Sequence, residues 1–204
     1  VELCLLDNQA LQPADNASSE EAGIVERVKA GDSEAFSLLV DKYQNRIFNF
    51  VKMMVQNREE AEDLTQEALI KGFNSIGKLQ SASSFKSWLF RIANNTVLDS
   101  IRRKRIEIAD AEESLKETYV DSATPETRIL TEKRTQAVKW ALSRLKEEQR
   151  RILVLCDLEG LSYREISDAL NVPFGTVQSR IFYARRKLKE LLDETKMFKG
   201  DEQK

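Results

Sequence analysis

The chain has no histidine, two cysteines (Cys4 and Cys156), three prolines and seven glycines in 204 residues. Each scarcity excludes something. Without histidine there is no imidazole base for a Ser-His or Cys-His site, and no zinc site with an imidazole ligand. Two cysteines far apart close neither a four-ligand cage nor a disulfide framework, so no metal or cofactor is expected and a reducing, cytoplasmic setting is. There is no glycine-rich phosphate loop and no carboxylate pair beside a recognisable pocket, hence no enzyme and no small-molecule substrate. No apolar run approaches the roughly 20 residues that span a bilayer, which argues against membrane insertion. The opening VELCLLDNQALQP carries acidic residues and no basic n-region, so it does not read as a signal peptide. Few turn residues argue against an all-β fold.

What is present is charge, at 32% of residues, and apolar side chains, at 41%, with a formal net charge of −2. Near-neutrality says little about nucleic acid, because binding depends on where charges cluster. Apolar positions recur at spacings of three and four, the period of a helix. Phe36, Leu39, Tyr43, Ile47, Phe50, Val51 and Met54 mark one helix. Ala61, Leu64, Ala68, Phe73 and Ile76 mark a second, and Phe85, Trp88, Leu89, Ile92, Thr96 and Val97 a third. Before them, Ser18 or Ser19 can cap a short helix that Gly31 stops. Between 106 and 127 seven carboxylates face Lys116 alone and Pro125 interrupts, which is a linker composition. A second helical block runs from about 129 to 195. The expected fold is therefore all-α: two small helical domains joined by an acidic flexible linker. The expected boundaries are a disordered tail at 1–18, domains at 19–105 and 129–195, a linker at 106–128 and a polar tail at 196–204.

The second domain contains a helix-turn-helix. Ser162-Tyr163-Arg164-Glu165 is a capping box, and Ile166, Ala169 and Leu170 give a short apolar face. Asn171-Val172-Pro173 forces a turn, since the residue before proline is disfavoured in a helix. Gly175-Thr176 then opens a long helix with five basic residues and no acid between Thr176 and Lys189. Gln178, Ser179 and Tyr183 lie outward near its start, where base edges are read; Arg185, Arg186 and Lys187 suit phosphates. This pattern predicts DNA binding.

The first domain carries two oppositely charged helices. Glu59, Glu60, Glu62, Asp63 and Glu67 follow one another with no base between. Glu60, Asp63 and Glu67 are three and four apart and so share a face, which DNA would repel and a basic protein would accept. The next helix sets Lys86, Arg91, Arg102, Arg103, Lys104 and Arg105 against Asp99 alone. Phe85, Trp88 and Phe90 stand among Asn94, Asn95 and Thr96, an interleaving suited to unstacked bases. A plain core role for Phe85 and Trp88 is the competing reading, and for Trp88 the favoured one.

Four segments together carry a family resemblance. They are AGDSEAFSLLVDKYQNRIFNF (30–50), REEAEDLTQEALIKGF (58–73), SSFKSWLFRIANNTVLDSIRRKR (83–105) and LKEEQRRILVLCDLEGLSYREISDALNVPFGTVQSRIFYARRKLKELL (145–192). In this order the chain resembles a bacterial extracytoplasmic-function (group four) RNA polymerase sigma factor. The resemblance implies a sigma-two domain at 19–105 and a sigma-four domain at 129–195. Such a factor binds core RNA polymerase and directs promoter-specific initiation, recognising the −35 element as duplex and the −10 element as opened strand. Asp63, Gln66 and Glu67, with Glu60 on the acidic face, would meet core polymerase. The −10 element would fall to Ser83, Ser84, Phe85, Lys86, Trp88, Arg91, Asn95, Arg102 and Arg103. The −35 element would fall to Thr176, Gln178, Ser179, Arg180, Phe182, Tyr183, Arg185 and Arg186. An anti-sigma factor is a further implied partner. The chain departs from the common pattern at Gln80-Ser81-Ala82-Ser83, where an Arg-Gly-acidic sequence is frequent. It also departs at Phe174 and Gln178, which bear on the −35 sequence preferred. A stand-alone helix-turn-helix regulator is the alternative, but it leaves the acidic face and the aromatic-basic helix without a task.

Overall fold

Helix α1 (Asp15–Lys29) begins the described part of the chain, which in this computed structural model comprises residues 15–55, 57–110 and 129–200. A short 3₁₀ turn capped by Asp32 leads into α2 (Phe36–Val55), and Asn57 caps α3 (Arg58–Ser75) by accepting from the Glu60 amide. Two further 3₁₀ turns, Ile76–Lys78 and Ala82–Ser84, deliver the chain to α4 (Phe85–Asp110). All seven apolar positions read for α2 are buried, because a three-four spacing puts them on one face. They pack on α3 and α4. Gly72 lets α3 and α4 approach closely: a Cβ there would stand 3.1 Å from Leu89 Cδ1. Edge-to-face aromatic pairs, Phe50 on Phe90 and Tyr43 on Phe85, tie α2 to α4.

The second unit comprises α5 (Ile129–Arg144), α6 (Glu147–Leu153), α7 (Tyr163–Leu170) and α8 (Phe174–Gly200). Val177, Ile181, Ala184, Leu188 and Leu191 of α8 are buried against α5, α6 and α7. The Ser162–Glu165 capping box forms as expected. The turn after α7 is made by Asn171 in the left-handed region at φ 53°, and Ser167 closes it by donating to the Val172 carbonyl. One element was not foreseen. At its C-terminal end α6 widens into a π turn, Val154–Leu158, in which the Glu159 amide donates to the Val154 carbonyl.

Three boundaries need correction. The tail expected over 1–18 gives way to helix at Asp15, where acidic and amide residues suit a helix N-terminus; Ser18 and Ser19 are inside α1. The linker expected from 106 begins later, since α4 continues to Asp110. The tail expected from 196 is helical to Gly200, the first breaker available. Residues 111–128, most of the acidic linker, lie outside the described residues, as do 1–14 and 201–204. The larger finding is that the two units touch: α4 packs along α7, and α2 meets α6 and the π turn.

Candidate functional site

On α3, Asp63 and Gln66 are exposed, and Glu67 is half-exposed with its carboxylate 2.7 Å from Lys71 Nζ. Glu60 does not share that face. Its carboxylate turns onto α4, accepting from Ser100 Oγ at 2.9 Å and Lys104 Nζ at 2.7 Å, so it braces two helices. The stripe continues instead through Ile70, 60% exposed, and Phe73, 40% exposed with its ring edge-on to Phe36. Phe73 was expected inward. The result is a carboxylate-and-amide stripe ending in two exposed apolar side chains.

The aromatic residues of α4 divide sharply. Phe85 is fully buried between Tyr43 and Trp88, and Phe90 is fully buried too. Phe85 is therefore core and not a base-stacking residue in this conformation, because its ring completes the packing of α2 on α4. Trp88 is buried at the edge of a cleft of about 640 Å³, whose walls are Gln80, Ser84 and Arg91 on one side and Asp168 and Asn171 on the other. Ser83, Arg91, Asn95, Arg102 and Arg103 are exposed and Ser84 half-buried. Lys86 is largely covered: its ammonium donates to the Gly160 carbonyl at 2.9 Å and stands 3.4 Å from a Glu165 carboxylate oxygen. Helix α1 packs against the Ala82–Ser84 turn before α4 and is tied to α2. Glu21 of α1, itself buried, accepts from the Tyr43 hydroxyl at 2.8 Å and pairs with Lys42. Burial, then the Glu21 carboxylate, raises the Tyr43 phenol well above its ordinary value.

On α8, Gln178, Ser179, Phe182 and Tyr183 are exposed and Thr176 half-buried. Phe182 and Tyr183 meet edge-on, and the Arg186 guanidinium lies over the Tyr183 ring. Arg180 reaches Glu148 of α6 only loosely, at 3.6 Å. Arg185 differs from expectation. Both Nε and Nη2 donate to Asp157, which raises its already high pKa, so it ties α8 to the π turn in place of facing phosphate. Cys156 beside it is half-buried, and burial, seconded by Asp157, pushes its thiol up to about 12. No cluster of metal-ligating residues occurs among the described residues.

Residues 39–106 match the family model for sigma-70 region 2, and residues 135–188 the model for sigma-70 region 4. The chain is 36% identical over 185 residues to the RNA polymerase sigma-H factor of Pseudomonas aeruginosa, spanning 85% of this chain and 94% of that one. It is 37% identical over 177 residues to the ECF RNA polymerase sigma-E factor of Escherichia coli K12, spanning 79% and 88%. The chain belongs to the ECF family of RNA polymerase sigma factors. As such it is a transcription initiation factor that binds core RNA polymerase and promoter DNA and directs promoter-specific initiation. Its fold is also that of the sigma factor RpoE solved with the anti-sigma factor NepR from Bartonella quintana, at a TM-score of 0.66 and 26% identity over 78% of this chain and 96% of that one. CnrH, solved with the cytosolic domain of CnrY, shares the fold at a TM-score of 0.64 and 22% identity, covering 85% and 97%. Among the described residues no helix of this sigma factor is long and apolar enough to cross a membrane.

Proposed function

We propose that the sigma factor divides initiation among three surfaces. Asp63, Gln66 and Glu67, extended by Ile70 and Phe73, dock on core polymerase. The loop at Ser83 and Ser84, with Lys86, Trp88, Arg91, Asn95, Arg102 and Arg103, grips the opened −10 strand. Gln178, Ser179, Phe182 and Tyr183 read the −35 duplex in the major groove, with Thr176, Arg180 and Arg186 on its backbone. Sigma-two corresponds to α1–α4 and sigma-four to α5–α8. The observation that carries this reading is the stripe on α3, whose acidic and amide side chains run into exposed Ile70 and Phe73. Carboxylates repel DNA, and paired apolar anchors serve a protein partner. The factor works in the cytoplasm, polymerase supplies the catalysis, and an anti-sigma factor restrains it.

Run-off transcription with purified core polymerase and a promoter library tests this. Wild-type protein is expected to yield discrete starts defining both elements. Reversing Asp63 and Glu67 to Lys is expected to abolish holoenzyme assembly while the protein stays folded. Unchanged assembly by that double variant refutes the docking assignment. Permanganate footprinting completes the test: holoenzyme opens the −10 region and the free factor does not. Thymine reactivity with free factor alone refutes the division of labour.

A further inference from the structure

Glu21 is the one buried acid among the described side chains of α1. It is 9% exposed, and its Oε2 accepts from both the Tyr43 hydroxyl at 2.8 Å and Lys42 Nζ at 2.5 Å. Tyr43, 1% exposed, is a post fixed in the core of α2. Val25 and Val28 bury the apolar edge of α1, but apolar packing alone lets a short helix slide or turn on its neighbours. A buried hydrogen bond does not, because a shifted helix would leave the carboxylate and the hydroxyl unpaired. What the bond holds still is more than α1. The helix packs on both 3₁₀ turns of the connection from α3 to α4, Ile76–Lys78 and Ala82–Ser84. Leu79, buried, pins the start of the segment between them. Beyond it the hydrogen bonds are local: Ser84 Oγ donates to the Ser81 carbonyl at 2.8 Å, and the Ser81 and Ser83 hydroxyls meet at 2.9 Å. Such bonds shape the turn but tie it to no other element. Helix α1 is the wall behind it, and Glu21 fixes the wall.

Capturing an unpaired base asks more of this turn than folding does. A loop already ordered loses little further conformational freedom on binding, whereas a wandering one must be ordered at the moment of capture. We infer that Glu21 is a positioning residue for strand opening: by bonding the Tyr43 hydroxyl it seats α1 against residues 81–84 and holds them in the shape that receives the −10 strand. A carboxylate would repel a nucleic-acid strand, and this one is covered, so its effect runs through α1 and the turn and not through contact with DNA. The inference rests on the assignment of Ser83 and Ser84 to the −10 element, while the order of the turn is observable without it.

Hydrogen exchange at residues 81–84 of the full-length protein, paired with strand binding by its holoenzyme, tests it. Tyr43→Phe keeps the buried ring and removes only the hydroxyl; Glu21→Ala removes the acceptor. Each is expected to speed exchange at 81–84 about tenfold. Each holoenzyme is expected to assemble and to bind a −35 duplex as wild type does, yet to bind a single-stranded −10 oligonucleotide about tenfold more weakly. The double variant is expected to lose no more than either single one, because both remove the same bond. Ile152→Val, a core change in α6, controls for general destabilisation and is expected to leave loop exchange and strand binding unchanged. Should Glu21→Ala lose its helical circular dichroism, Tyr43→Phe carries the test alone. Wild-type exchange at 81–84 in Tyr43→Phe, additive losses, a parallel loss of −35 binding, or the same defects in Ile152→Val overturns the inference. Faster exchange with unchanged strand binding overturns the link to strand opening. If exchange quickens but wild-type holoenzyme shows no preference for the −10 strand, the fault lies with the proposed function, and Glu21 still orders the turn.

Discussion

Replacing Phe85 separates a packing role from a base-stacking role. The side chain is fully buried, with its ring centroid 5.5 Å from that of Tyr43 and 5.8 Å from that of Trp88. Truncation to Ala creates a cavity under the first turn of α4, at a cost of about 3–5 kcal/mol. Leu refills most of that volume but forfeits both ring contacts, each worth about 0.5–1.5 kcal/mol, giving a loss near 2 kcal/mol. For a chain of this size 1 kcal/mol moves Tm by about 2–4 °C, so Phe85→Leu should fall by about 4–8 °C and Phe85→Ala by about 6–20 °C. At 20 °C the Leu variant should still be folded, and its holoenzyme should open a promoter as wild type does. A stacking role predicts the reverse: unchanged Tm, with about 1–3 kcal/mol of bubble stability lost. Calorimetry and permanganate footprinting on the same preparations read both quantities. A Leu variant with wild-type Tm and no bubble would refute the assignment of Phe85 to the core.

Three further outcomes are expected. Glu60→Ala should lower stability by about 1–2 kcal/mol, since Ser100 and Lys104 lose their acceptor, and should leave core binding intact; lost assembly at wild-type stability would return Glu60 to the docking surface. In a Cys4→Ser background, Cys156 should react with a thiol reagent at pH 8 far more slowly than in the urea-unfolded chain, its thiolate fraction in the folded protein being roughly a thousandfold smaller. Its thiol is held up to about 12 against an ordinary value near 8.5. The stabilisation from this raised group is whole below the ordinary value and is lost as pH climbs from about 8.5 towards 12, so Cys156→Ala should flatten the alkaline fall in Tm. Gln178→Ala and Tyr183→Ala should change the preferred −35 sequence, whereas Arg186→Ala should weaken all sequences and reduce the salt slope by about one; identical behaviour across a promoter library would erase the distinction.

The sequence by itself determined the helices and the family. Spacings of three and four put seven α2 side chains on one buried face, and Ser162 with Glu165 announced the start of α7, because a helix's faces and caps depend on neighbours within a turn. The same local logic located Gln178, Ser179 and Tyr183 on the outer face of α8. It misplaced Glu60, Phe85 and Arg185. Periodicity says that residues share a face but not which neighbour that face will meet. Glu60 answers to Ser100 and Lys104, forty residues and more away, and Arg185 to a π turn with no sequence signature. The contact between the two units lies furthest from local pattern: Arg46 and Glu159 are 113 residues apart, and the packing of α2 on α6 and the π turn brings them together. The charges were written in the sequence, but which of them would face each other across the two units was decided by the tertiary structure.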